Sequence, residues 1–117
     1  PSGMPGVQTI FPIMIDHVNN GKLELNQLIN LMCENPCKIF GIKNKGFIKE
    51  GFDADLTIVD MDKEVTIKNE MIASKCGWTP FHNYKVKGFP VGTIVNGILV
   101  MSEGKILVDS IGQPLKF

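Results

Sequence analysis

The spacing of apolar residues changes once along this chain, near Gly46, and that change limits the folds open to it. Upstream, Val7, Ile10, Phe11, Met14, Ile15 and Val18 recur at steps of three and four, the signature of one apolar helix face. Gln8 or Thr9 stands at the start of this helix, Pro12 is tolerated only in a first turn, and Gly21 after Asn19-Asn20 closes it. Leu25, Leu28, Ile29, Leu31 and Met32 mark a second helix. It is predicted to stop near Asn35, because Pro36 disfavours helical geometry in the residue before it. Pro36 then opens a short third helical turn through Phe40, ended by Gly41.

Downstream of Gly46 the period is two. Ala54, Leu56 and Ile58 alternate with Asp55, Thr57 and Val59, and Val65-Thr66-Ile67 reads as a second short strand. Thr93-Ile94-Val95 and Ile98-Leu99-Val100-Met101 flank Asn96-Gly97, the dipeptide that most readily supplies the two positive φ angles of a type I′ hairpin turn. Ser102-Glu103-Gly104 turns the chain again into Lys105-Ile106-Leu107-Val108. Residues 70–92 are irregular and read as a long ordered loop, with Trp78, Phe81, Tyr84 and Phe89 pinning it to a core.

The expected fold class is therefore α+β, a helical part at 1–45 followed by a small, mostly antiparallel sheet at 46–117. A few short hairpins are marginal in water. The sheet is thus expected to be completed by strands from elsewhere in a longer protein, with exposed strands as the route to a homo-oligomer. The opening Pro1-Ser2-Gly3-Met4-Pro5-Gly6 carries no initiator Met, no basic lead and no apolar run, and reads as a loop inside such a protein.

Composition excludes some partners. Twelve basic residues balance twelve acidic ones, and every basic residue is Lys. A nucleic-acid reader would favour a basic surface with bidentate Arg contacts, so no nucleic-acid partner is expected. Apolar stretches fall short of the ~20 residues of a membrane helix, so no membrane partner is expected either. Cys33, Cys37 and Cys76 are an odd number without an export signal, which suits reduced thiols in the cytoplasm. A zinc site could be written from these three and His82, but the paired Cys-x2-Cys knuckles of structural zinc are absent. His17, beside Asp16 at the polar end of the first helix, is expected to face solvent.

Gly46 and Gly51 bracket Phe47-Ile48-Lys49-Glu50 with turns. Asp53 and Asp55 flank Ala54 and would share a face of a strand, so a metal or acid/base pair can be drawn there. No His or further acid converges on them in the sequence, and short carboxylates commonly bond nearby backbone N–H groups. The structural role is favoured.

Four segments in order resemble the amidohydrolase superfamily, in particular its dihydroorotase, allantoinase and dihydropyrimidinase branch. Pro1 through Thr9 resembles the loop after the last metal-site strand of the barrel in dihydroorotases. Asn35-Pro36-Cys37-Lys38-Ile39-Phe40-Gly41 is similar to the family's Asn-Pro-Ala-x-x-Phe-Gly run. Gly46 through Asp60, centred on Gly51-Phe52-Asp53-Ala54-Asp55-Leu56, resembles the segment that re-enters the family's small β domain. Ser74-Lys75-Cys76-Gly77-Trp78-Thr79-Pro80-Phe81, with Thr93-Ile94-Val95-Asn96-Gly97 after it, resembles the dihydroorotase ending.

The resemblance implies that 1–45 are terminal helices of a (β/α)8 metallo-dependent hydrolase barrel and that 46–117 are strands of a small β-sandwich domain. It implies zinc in the parent enzyme, held by a His-x-His pair, a carbamylated Lys, two more His and an Asp, which polarise a ring amide and generate hydroxide. None of these is found here: only His17 and His82 occur, and His82 stands where a small or acidic residue is expected. No catalytic or metal residue is therefore assigned to this chain. The substrate implied is dihydroorotate, interconverted with N-carbamoyl-aspartate, and Ser2 and Gly3 are its candidate binding residues, lining the pocket through their backbone. The partner implied is the remainder of the parent chain. Three other readings stay open: a non-catalytic scaffold of the same fold, an allantoinase or dihydropyrimidinase type of cyclic amidohydrolase, and a stand-alone α+β binding module.

Overall fold

A computed structural model of the chain describes residues 3–108 and 111–117. The fold is α+β. Helix α1 spans Ile10–Asn19, a second helical run covers α2 (Leu25–Ile29), a π turn (Asn30–Glu34) and α3 (Asn35–Phe40), and strands follow as β1 (Leu56–Thr66), β2 (Lys85–Val95), β3 (Ile98–Ser102) and β4 (Lys105–Ile106). The strands form a sheet in the order β1-β2-β3-β4. Pairings of β2 with β3 and of β3 with β4 are antiparallel. So is that of β1 with β2: Gly97 N–H donates to Ala54 O beyond one end, and Ile67 exchanges bonds with Asn83 and Tyr84 beyond the other.

The described residues fall into two compact units, drawn from both halves of the chain. One comprises the residues up to Leu23 together with Asp60–Phe89; the other comprises Glu24–Val59 and the residues from Pro90 onward.

In the first unit, Ile13, Ile67 and Val86 form a buried cluster, with Val65, Phe81 and Phe89 packed against it. Two polar side chains of α1 tie it to the strands. Asp16, only 7% exposed, accepts the Lys87 N–H at 2.9 Å and the Asn20 side-chain amide at 3.0 Å. Asn19 Nδ2 donates to Met61 O at 2.9 Å on β1 and to Lys87 O at 2.6 Å on β2. A carboxylate is tolerable in that buried place because a backbone donor meets it. Gly88, at φ +96°, passes under α1 so closely that a Cβ there would lie 2.1 Å from Ile15 Cγ2.

Several expectations are corrected here. Val7 is not on the helix face: α1 starts at Ile10 and Val7 is 96% exposed. Val65-Thr66-Ile67 is no second strand; Val65 and Thr66 end the same eleven-residue β1 that begins at Leu56. Asp60 Oδ1 accepts the N–H groups of Asp62 and Lys63, a local side-chain turn that interrupts the alternation without breaking the strand. The irregular stretch is shorter than predicted, because β2 already runs from Lys85 through Pro90. Its glycines and proline hid the strand: Gly88 is there for the passage under Ile15, not for a turn. Of the loop aromatics Phe81 and Phe89 meet the core, whereas Trp78 and Tyr84 stay substantially exposed.

In the second unit, the helical run does not stop at Asn35. Glu34 (φ −70°, ψ −51°) and Asn35 (φ −63°, ψ −42°) are both helical. Pro36 lacks an N–H, and in an α-helix its ring would press on the carbonyl of residue 32. The π turn immediately upstream, in which the Asn35 N–H reaches back to Asn30 O, widens the helix at that place and lets it continue. Gly41 at φ 68° then ends it, as expected. Gly46, at φ +85°, nests against this run: a Cβ there would sit 2.8 Å from both Cys33 O and Cys37 Sγ. Leu28 is buried, while Leu25, Ile29, Leu31, Ile39 and Phe40 are exposed.

The hairpin forms as predicted. Val95 pairs with Ile98 across Asn96 (φ 49°) and Gly97 (φ 80°). The register shifts between Thr93 and Ile94, so Val100 is an extra residue on β3. Strand β4 is only Lys105–Ile106, shorter than the predicted run to Val108.

Candidate functional site

The opening loop is where sequence placed the substrate contact. Ser2 lies outside the described residues. Gly3 is exposed, and among the described residues nothing lies within 4 Å of where a Cβ would project. From Gly3 the loop runs into a tight turn whose acceptor is Gly6 O. That carbonyl takes the Thr9 N–H at 3.0 Å and the Ile10 N–H at 2.8 Å, with the Thr9 hydroxyl at 3.4 Å. Thr9 is 3% exposed, so the turn is anchored at the foot of α1.

Gln8 joins this loop to a distant one. Its Nε2 donates to Met71 O at 2.6 Å and its Oε1 accepts the Ala73 N–H at 2.9 Å. The amide thus engages two backbone groups as a neighbouring strand would. Between the two loops lies an apolar cleft of about 230 Å³, lined by Pro5, Gly6, Val7, Gln8, Thr9, Ile72 and Ser74. Sequence reasoning passed over Gln8 except as a helix start, since its partners lie more than sixty residues away along the chain. Asp16 and Asn19 were missed for the same reason.

The residues weighed as metal ligands are not brought together. Among the described residues no three His, Cys, Asp or Glu side chains are grouped so as to hold a metal ion. Cys76 is exposed, and its Sγ is in hydrogen-bond contact with the Ser74 hydroxyl at 3.3 Å, a group that can donate to the thiolate. Hydrogen bonding from Ser74 first, and from the Trp78 backbone next, draws its thiol below the ordinary range. Burial pushes the Cys33 thiol the other way, helped by the neighbouring Cys37 and Glu34. His82 Nδ1 accepts the Asn69 N–H at 3.0 Å, an arrangement that leaves the ring proton on Nε2. His17 does not face solvent as predicted: it is half-buried, and its buried Nδ1 meets no hydrogen-bond partner among the described residues.

Asp53 and Asp55 share a face, and the same Lys45 ammonium meets both. Asp55 Oδ1 also accepts the Asn96 N–H at 2.8 Å, and that bond, ahead of Lys45, holds its carboxyl below the usual carboxylate range. The Lys45 ammonium is raised in turn, chiefly by Asp55. Asp55 fastens the start of β1 to the hairpin turn, and Asp53 joins it on the Lys45 ammonium. With their oxygens on a cation and a backbone donor, they serve structure rather than proton transfer.

With this α+β framework in view, residues 7–100 match the amidohydrolase family, and the chain belongs to it. Within that family it is similar to dihydroorotases. It is 47% identical to the dihydroorotase of Pyrococcus furiosus over 97% of this chain, and 40% identical to that of Bacillus subtilis over 92%. A solved L-hydantoinase (dihydropyrimidinase) from Arthrobacter aurescens superposes with a TM-score of 0.87 at 40% identity, covering 91% of this chain and 24% of that one. The chain spans about a quarter of the length of the curated relatives it matches, 26% of the Pyrococcus protein and 25% of the Bacillus protein.

Proposed function

We propose that this chain is the C-terminal part of a dihydroorotase, a cytoplasmic zinc hydrolase that interconverts dihydroorotate and N-carbamoyl-L-aspartate in de novo pyrimidine biosynthesis. The observation that carries the reading is the 47% identity to a dihydroorotase over 97% of the chain. Identity of that extent spans the opening loop, the helices and the sheet together, not one motif.

In this reading residues 1–45 supply terminal helices of a (β/α)8 barrel, and 46–117 supply part of a composite β-sandwich domain. Ser2 and Gly3 line the substrate pocket through their backbone, where the absence of a side chain at Gly3 lets the main chain approach the ring. The described side chains do not fit zinc, so the metal and the groups that act with it belong to the remainder of the protein. This chain's own part is to present the loop, fix it at Gly6 and Gln8, and complete the sheet. The exposed apolar residues of the second unit, Leu31, Ile39 and Phe40 among them, suit a piece that packs against more protein.

A second reading is a hydantoinase or dihydropyrimidinase, favoured by the TM-score of 0.87 to the L-hydantoinase. Turnover by the full-length protein decides between them. Dihydroorotate is expected to exceed hydantoin and dihydrouracil in kcat/KM by about tenfold or more, the discrimination one well-placed contact set provides. Preference for hydantoin or dihydrouracil would overturn the dihydroorotase reading, and no turnover of any of them would favour a non-catalytic scaffold.

A further inference from the structure

Gln8 makes no contact that the proposed chemistry needs, yet it is the side chain that joins the two walls of the cleft. One wall is the opening loop, Pro5 to Thr9; the other is the segment carrying Ile72 and Ser74. The second wall follows the short 3-10 turn Asn69–Met71, which is tied at its first residue: the Asn69 N–H donates to His82 Nδ1 at 3.0 Å and Asn69 Oδ1 accepts the Thr79 N–H at 3.0 Å. Its Met71 carbonyl and Ala73 N–H flank Ile72, and both bond to the same Gln8 amide. Ile72 is therefore held from both sides while its side chain reaches the cleft.

We infer that Gln8 is a positioning residue that docks the Met71–Ser74 segment onto the opening loop and so sets the width of the cleft where a cyclic amide substrate binds. The inference rests on the reading of the opening loop as a substrate loop. Two features make Gln suited to the task. Its amide offers one donor and one acceptor at a fixed spacing, matching the C=O and N–H that one extended residue displays on either side. The bonds join segments more than sixty residues apart, with separations of 63 and 65 positions, and they act beyond the Asn69 tie, at the Met71 and Ala73 backbone groups that flank Ile72.

The test uses the full-length enzyme with Gln8→Leu, which keeps bulk and removes both bonds, Ile72→Ala, which trims the wall, and the double variant. Gln8→Leu is expected to raise KM about tenfold or more while kcat stays within about threefold, the pattern of lost ground-state binding. If Gln8 acts through the wall, adding Gln8→Leu to Ile72→Ala raises KM by less than about threefold further, because the wall is already impaired. An unchanged KM, a loss confined to kcat, or fully multiplicative KM effects would overturn the inference. Should Gln8→Leu fail to fold, hydrogen exchange in the unmodified enzyme replaces it: slow exchange of the Ala73 amide supports the dock and fast exchange contradicts it. Hydantoin is run beside dihydroorotate throughout. If only hydantoin is turned over, the dihydroorotase reading fails while the KM comparison still tests Gln8; if neither is, both fall.

Discussion

Two glycines and two cysteines carry the sharpest residue-level consequences. Gly88 combines a left-handed φ with a Cβ direction blocked by Ile15 Cγ2 at 2.1 Å, and Gly46 combines φ +85° with a backbone oxygen at 2.8 Å. Ala at either place adds strain of about 1–2 kcal/mol from the dihedral and about 1–3 kcal/mol from overpacking. Chemical denaturation of Gly88→Ala and Gly46→Ala should show losses of roughly 2–5 kcal/mol each, and a loss below about 1 kcal/mol would mean these close passages are misjudged. The cysteines differ by environment. Cys76 is lowered by hydrogen bonding to Ser74 and the Trp78 backbone, so more of it is thiolate at neutral pH; Cys33 is raised by burial, so less of it is. Iodoacetamide at neutral pH should therefore modify Cys76 ahead of Cys33. Raising the pH through the ordinary thiol range should narrow the gap, since Cys33 ionises later. Peptide mapping that finds Cys33 first would contradict the assignment.

Legibility in the sequence differed by element, for physical reasons. The hairpin could be read because its cause is local: Asn96-Gly97 supplies the two positive φ angles whatever surrounds it. The helix boundary at Asn35 was misplaced because the rule about residues before proline presumes α geometry, and five residues here wind as a π turn instead. Strand β2 was hidden because Gly88, Pro90 and Gly92 look like punctuation, while the two glycines serve close packing, Gly88 under Ile15 and Gly92 beside Ile58. The polar ties of α1 could not be read at all, since Asp16 and Asn19 find partners about seventy residues away on Lys87. They carry a consequence for this element. Asn19→Ala removes bonds to both Met61 O and Lys87 O, and should destabilise by about 1–2 kcal/mol, with faster amide exchange along the neighbouring strands. Unaltered stability would show that apolar packing alone seats α1. Of the candidate site, the opening loop was singled out by its resemblance to dihydroorotases, and the Gln8 seam by nothing in the sequence.

At the scale of the whole molecule, the account is of a part whose chemistry is done elsewhere. A family match over residues 7–100 sits beside relatives about four times as long, and beside described residues that group no metal ligands. The sheet has β1 at one edge and β4 at the other, and apolar side chains of the second unit stay open to solvent. All of this suits a segment that completes a larger enzyme. The most direct measurement is a ring-opening assay of dihydroorotate with zinc present, run on the purified 117-residue chain and on the full-length protein side by side. The account predicts turnover by the full-length protein and none above buffer for the chain alone. Turnover by the isolated chain, or one zinc per chain held by its own side chains, would contradict it.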